Sequence, residues 1–194
     1  MSFDLNDFWI DESAEHMDVA EKTFAALKDE FTQMLDLCFT SIEAGGKIMF
    51  FGNGGSAADA QHLATELSVR FAQDRAPIAG LALTTDSSTL TASGNDMGFD
   101  QIFARQIDAI GKEEDVAIGI STSGNSANVI EALKKAQSKG IKTIGLSGRD
   151  GGEMADVCDV LLIVPSNTTA RIQEMHITLG QMLCGALEQK LGLV

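Results

Sequence analysis

The run Asp115-Val-Ala-Ile-Gly-Ile-Ser-Thr-Ser-Gly-Asn-Ser126 carries a short apolar stretch straight into a cluster of hydroxyls and then into a helix-forming segment. Ser121, Thr122, Ser123 and Ser126 can each donate a hydrogen bond, and Gly124 permits a tight turn. The amides that open the helix near Ala127 would turn its positive end towards the same loop, which together make an anion site. No lysine follows. The loop therefore lacks the cation that nucleotide-binding loops aim at the terminal phosphates, and it suits a single phosphate monoester instead. The competing reading is an ordinary turn rich in capping residues, since Ser, Thr and Asn are the usual caps.

Two further groups sit at comparable places. Gly52-Asn-Gly-Gly-Ser-Ala57 follows an apolar run and precedes a helix, and its glycine spacing formally satisfies a dinucleotide fingerprint, with Asp86 available as the ribose-binding acid. A second hydroxyl-rich loop and a polar stripe on the following helix do not belong to that plan. The stripe is His62 and Glu66, placed i and i+4, so that both project from one helix face about a turn apart. That spacing suits two ligands of one metal ion or an acid–base pair, and it equally suits a surface ion pair. Arg70, one more i+4 step, would extend the stripe towards a phosphate. Near the C-terminus, Arg171, Gln173, Glu174 and His176 crowd polar groups into the start of a helix that continues with core-like Ile177, Leu179, Met182, Leu183 and Leu187. The Gln173 carbonyl oxygen is a usable, weak metal ligand.

The elements that must position these groups follow from hydrophobic period. Apolar residues recur at helical spacing over 12–44, from Val19 to Ile42, and stop at Gly45-Gly46. Short apolar runs then alternate with helical stretches: 47–51, 78–83, 116–120, 143–146 and 160–164 read as strands, and 56–72, 86–93, 99–111, 126–139, 150–156 and 168–190 as helices. Such runs imply a doubly wound, flavodoxin-like α/β sandwich of about five parallel strands covered by helices on both faces, with long N-terminal helices. Ligands collect beyond the carboxyl ends of such strands, where the loops named above fall.

Composition bounds the partners. The 194 residues make one sizeable core, read as a single domain over 1–194, and the excess of 28 acidic over 14 basic residues gives a net charge of −14. That charge disfavours nucleic acid or an anionic membrane as partner, while a single phosphate can still be held by local dipoles. Cys38, Cys158 and Cys184 are widely spaced in apolar surroundings and read as free thiols of a reducing compartment. The acidic start of the chain has neither a basic region nor a long apolar run, so a cytoplasmic protein is expected.

Taken in order, Gly52-Asn-Gly-Gly-Ser56, Asp59-Ala-Gln-His62-Leu-Ala-Thr-Glu66-Leu, Gly94-Asn95-Asp96, Ile120-Ser-Thr-Ser-Gly-Asn-Ser126, Gly148-Arg-Asp-Gly-Gly152 and Ala170-Arg-Ile-Gln-Glu-Met-His176 resemble the sugar isomerase (SIS) domain, and within it the phosphoheptose isomerases. The resemblance covers essentially the whole chain. It implies conversion of sedoheptulose 7-phosphate to D-glycero-D-manno-heptose 7-phosphate, towards the heptose of lipopolysaccharide. It also implies a homotetramer, with residues 1–45 contributing to the subunit interface and active sites assembled from neighbouring subunits. Substrate contacts would fall on Asn53, Gly54, Gly55, Ser56, Glu66, Arg70, Asn95, Asp96, Ser121, Thr122, Ser123, Ser126 and Gln173. Zinc ligands would fall on His62, Glu66, Gln173 and position 181.

The family's fourth ligand is a histidine eight residues beyond that glutamine, and here the position is Gln181. An amide does not titrate near neutral pH, so the proton-transfer pair of the family would reduce to Glu66 as base with Gln181 orienting or weakly ligating. His176 matches a different position of the motif. The departure keeps a second class open, because the family's non-catalytic relatives, adaptors of the replication initiator protein, also carry an amide there; a sugar-phosphate sensor is a third possibility. Retention of Glu66 and of the whole Ser-Thr-Ser-Gly-Asn-Ser loop favours the isomerase.

Overall fold

Every residue of β1 (Ile48–Gly52) and β3 (Val116–Ile120) is buried, because alternate side chains of these apolar runs enter two covered faces. β2 (Gly80–Ala82), β4 (Lys142–Gly148) and β5 (Val160–Val164) complete a parallel sheet in the order β2-β1-β3-β4-β5. This is the five-stranded α/β sandwich the hydrophobic periods imply. The computed structural model describes residues 3–194.

Helices divide between the two faces. Over Ile48, Phe50, Ile118 and Leu162 lie α2 (Lys28–Glu43), α3 (Gly55–Ser68), α7 (Thr169–Lys190) and the later turns of α1 (Leu5–Ala26). Over Met49, Phe51 and Ala117 lie α5 (Ala104–Ile110) and α6 (Ala127–Ser138), with Leu90 of α4 (Ser87–Met97) at the margin. Cys38 and Cys184 are buried on the first face, Cys158 is part-buried, and all three are unpaired. Burial pushes the Cys158 and Cys184 thiols up to about 12, which keeps them unreactive.

The boundaries differ from the expected ones for local reasons. The N-terminal helical run starts at Leu5 rather than near 12, since Asp4 caps it by accepting from the amides of Asn6 (2.8 Å) and Asp7 (3.2 Å). It divides at Leu27, whose φ of −107° and ψ of 17° leave helical space while its side chain is buried. The helix expected over 56–72 stops at Ser68, because Arg75 donates to the carbonyls of Leu67 (2.7 Å) and Glu66 (2.8 Å) and closes its end. Arg70 is thus off the helix and exposed, and the His62–Glu66 stripe does not extend to it. Residues 99–111 form a 3-10 turn (Phe99–Gln101) before α5, and 152–156 are 3-10 throughout. Of the strand expected over 78–83, only Gly80–Ala82 joins the ladder.

One topological fact places the site. Strand order reverses between β1 and β3, and their register pairs Gly52 with Ile120 at the last rung. Both chains leave the sheet at the same level. The 52–56 and 121–126 loops therefore stand side by side over the carboxyl ends of the strands, at the switch point where α/β sheets bind ligands.

Candidate active site

Ser126 decides between the two readings of its loop. It occupies the N-cap position of α6 without a side-chain bond to the helix, and its hydroxyl instead meets Ser121 Oγ at 2.9 Å. Ser123 Oγ lies 3.4 Å from Ser121 Oγ, so three hydroxyls converge, while the amides of the first turn of α6 receive no side-chain cap. A turn built merely to cap would spend Ser126 on those amides. Gly124, at φ 68°, makes the turn possible, and a Cβ there would stand 2.0 Å from Gly151 O, so the loop lies tight on the 148–152 segment.

The glycine-rich loop ends in α3, whose N-cap is Gly54 and which also has no side-chain cap. Ser56 is buried in its first turn. Beside the loop opens a cavity of about 440 Å³ lined by Gly52, Asn53, Gly54, Thr84, Gly94 and Phe99, among others. Asn53 is tied to Asn128 of α6 by two amide hydrogen bonds, each of 2.8 Å. Asn95 and Asp96 at the end of α4 are exposed, bond to each other at 2.7 Å and lie outside that lining.

α3 and α7 meet over a polar seam. His62 Nε2 lies 3.0 Å from Glu66 Oε1, the expected i,i+4 contact, and 3.4 Å from the Gln181 amide of α7. Gln173 does not join them. Its amide lies against the start of α3, where a Cβ on Gly55 would come within 2.1 Å of Gln173 Nε2, about two turns from His62. Gly55 is needed for that approach, a role distinct from touching substrate. Between the two ends sits Asp59, which lines a cleft with Ala170, Gln173, Glu174 and Ile177 and has a buried carboxylate oxygen without a partner. Burial raises its pKa and the neighbouring His62 opposes the rise. In the sequence Asp59 stands three residues before His62 on the same helix, with no type or spacing that marks it as functional.

The remaining polar residues of the C-terminal motif serve packing. Arg171 is buried, donating to Glu12 O (2.8 Å) and to Glu174 (2.7 Å), which itself meets His16 at 2.7 Å, so the group pins α1 to α7. His176 is buried with Nε2 donating to Ser147 O at 3.0 Å, and burial lowers its pKa to about 4. The dinucleotide reading fails on Asp86. Both of its carboxylate oxygens accept bonds from Thr89, one from the amide (3.0 Å) and one from the hydroxyl (2.8 Å), which cap α4 and hold its pKa down.

Sheet order and switch-point loops define the class, and residues 9–148 match the SIS domain family. The phosphoheptose isomerase of Paramagnetospirillum magneticum is 56% identical over 175 residues, 90% of this chain and 91% of that one. That of Rhodospirillum rubrum is 59% identical over 151 residues, 78% of this chain and 80% of the other. The solved phosphoheptose isomerase of Neisseria gonorrhoeae superposes with a TM-score of 0.90 at 44% identity, covering 96% of this chain and 100% of that one. The chain belongs to the phosphoheptose isomerase family and is a phosphosugar isomerase. The adaptor alternative gives way to an enzyme. Among the described residues no helix is long and apolar enough to cross a membrane.

The family resemblance implies zinc, and the donor set can be tested for it. Zinc favours four ligands drawn from thiolate, imidazole and carboxylate. Of the four positions the resemblance assigns to zinc, only His62 and Glu66 are such groups; the other two are amides, and Gln173 lies at the far end of α3. Among the described residues no three His, Cys, Asp or Glu side chains gather as a metal site. The residues do not fit a resident zinc well, and no step below passes through one.

Proposed function

We propose that this isomerase converts sedoheptulose 7-phosphate to D-glycero-D-manno-heptose 7-phosphate through an enediol, feeding heptose into lipopolysaccharide precursors. The observation that carries the phosphate end is the Ser126 hydroxyl turned from its own helix towards Ser121 and Ser123. Those hydroxyls, Thr122 and the uncapped amides of α6 hold the phosphate, and no lysine is needed because dipoles and hydroxyls suffice for one monoester. The names of the relatives supply the seven-carbon sugar.

The sugar then extends across the switch point past Asn53, Gly54, Gly55 and Ser56 towards α3. Glu66 takes the proton from the carbon beside the carbonyl, and an enediol forms. The same carboxyl returns the proton to the neighbouring carbon while the two oxygens exchange theirs. The His62 ring, with Nε2 3.0 Å from Glu66 Oε1, aims that carboxylate; the Gln181 amide beside His62 orients rather than titrates. Gln173, Arg70, Asn95 and Asp96 are proposed sugar contacts, the exposed ones reaching the site from a neighbouring copy in a homo-oligomer, read as a tetramer. Zinc is expected to be partial or absent after purification, because Gln173 lies apart from His62 and Glu66 and Gln181 is an amide. The decisive experiment incubates the purified protein with sedoheptulose 7-phosphate, with and without zinc. Aldose phosphate should accumulate, and its absence under both conditions would remove the reading.

A further inference from the structure

The β1–β3 ladder ends at Gly52 and Ile120, and past that rung no backbone pairing between the strands fixes how far apart the two loops stand. A side-chain pair does. Asn53 Nδ2 donates to Asn128 Oδ1 at 2.8 Å, and Asn128 Nδ2 donates back to Asn53 Oδ1 at 2.8 Å, across 75 residues of sequence. Asn128 is 2% exposed in the first turn of α6, two residues beyond Ser126. Rotating either amide breaks both bonds, so the pair is stiffer than a single contact, and a buried amide deprived of its partner is penalised for lost hydration. One N–H and one lone pair of Asn53 remain free, and the pairing sets their direction.

We propose that Asn128 is a positioning residue: acting through Asn53, it holds the 52–56 loop at a fixed span from the hydroxyls of Ser121, Ser123 and Ser126. The proposal rests on the reading that the 121–126 loop holds the phosphate. With the phosphate fixed at one end, that span sets where the reacting end of the sugar lies. Loss of Asn128 frees the sugar end and leaves the phosphate end alone. The signature is therefore split, with turnover falling while phosphate affinity holds.

The test compares Asn128→Ala, Asn128→Asp, which keeps the shape but cannot donate, Asn53→Ala, and the Asn53→Ala/Asn128→Ala double variant. Both Asn128 variants should lose about 10- to 100-fold in turnover with sedoheptulose 7-phosphate, with the inhibition constant of inorganic phosphate within about twofold of the unaltered protein. The double variant should lose no more than about twofold beyond Asn53→Ala alone, as expected when one residue acts only through the other. Turnover preserved in both Asn128 variants, a fully multiplicative loss in the double variant, or a phosphate inhibition constant rising in step with lost turnover would each overturn the proposal. So would failure of both Asn128 variants to fold, which makes the residue structural. Inorganic phosphate that does not inhibit the unaltered protein brings down the phosphate-loop reading itself, an outcome distinct from one confined to Asn128.

Discussion

Glu66 and Gln181 meet the same imidazole, and the chemistry assigned to them differs because one titrates and the other does not. Glu66→Gln keeps the shape and removes the base, so turnover should fall about 100-fold or more with substrate binding retained. Turnover left at the unaltered level would mean that another group moves the proton. Gln181→His tests the other side of the seam. It adds a titratable group and a better ligand beside His62, and both zinc content and isomerase rate should rise. Stoichiometric zinc in the unaltered protein, by elemental analysis, would show instead that the site is built around the glutamine.

At the scale of elements, α7 is tied to the rest of the fold at two buried places besides Arg171. Arg75 Nε donates to Glu188 at 2.7 Å, both side chains being buried, while its other nitrogens close the end of α3. Since α3 carries His62 and Glu66 and α7 carries Gln181, this pair fixes the seam between them. Glu188→Gln leaves a buried guanidinium without its charge partner and should cost about 3–5 kcal/mol in a denaturant titration, whereas Arg75→Met/Glu188→Leu should recover much of it. The other tie is His176 to Ser147. With its pKa lowered from 6.5 to about 4 by burial, the unfolded chain binds a proton in that window that the folded chain does not. Stability therefore rises with pH through the window and is lost as pH falls from 6.5 towards 4, by about 3 kcal/mol for this group. His176→Gln should flatten that part of the profile relative to the unaltered protein; an unchanged difference between pH 4.5 and 7 would exclude it. Neither tie was legible in the sequence, nor was Asn53–Asn128, because each joins residues far apart in the chain whose types alone suggest solvent. What was legible is what local period encodes: the strand runs, the loops at their carboxyl ends and the His62–Glu66 spacing. The 3-10 turns at 99–101 and 152–156 escaped because spans so short carry too few apolar residues to separate one helical period from another.

For the whole molecule the unresolved balance is between charge and apolar surface. A net charge of −14 disfavours bringing copies together, yet α1 exposes Phe8, Trp9, Ile10, Met17 and Phe24, and its only buried residues are Val19 and Thr23. A helix whose first turns pack on nothing is marginal in water, and a run of large apolar side chains along it calls for cover. A groove of about 250 Å³ lined by Phe24, Leu27, Phe31, Leu179 and Met182 continues past Phe31 and Met182 to a cleft that Gln181 itself lines. A second copy seated there would both cover α1 and shield the polar seam from bulk water, so assembly and activity should fail together. Light scattering is expected to give a multiple of the 20.6 kDa chain, rising in occupancy with salt as the like charges are screened. The Trp9→Glu/Phe24→Glu variant should sediment as a monomer with its far-ultraviolet spectrum intact and its turnover reduced by at least about tenfold. A monomeric unaltered protein with full turnover at micromolar concentration would separate the two properties and return the catalytic seam to a single chain.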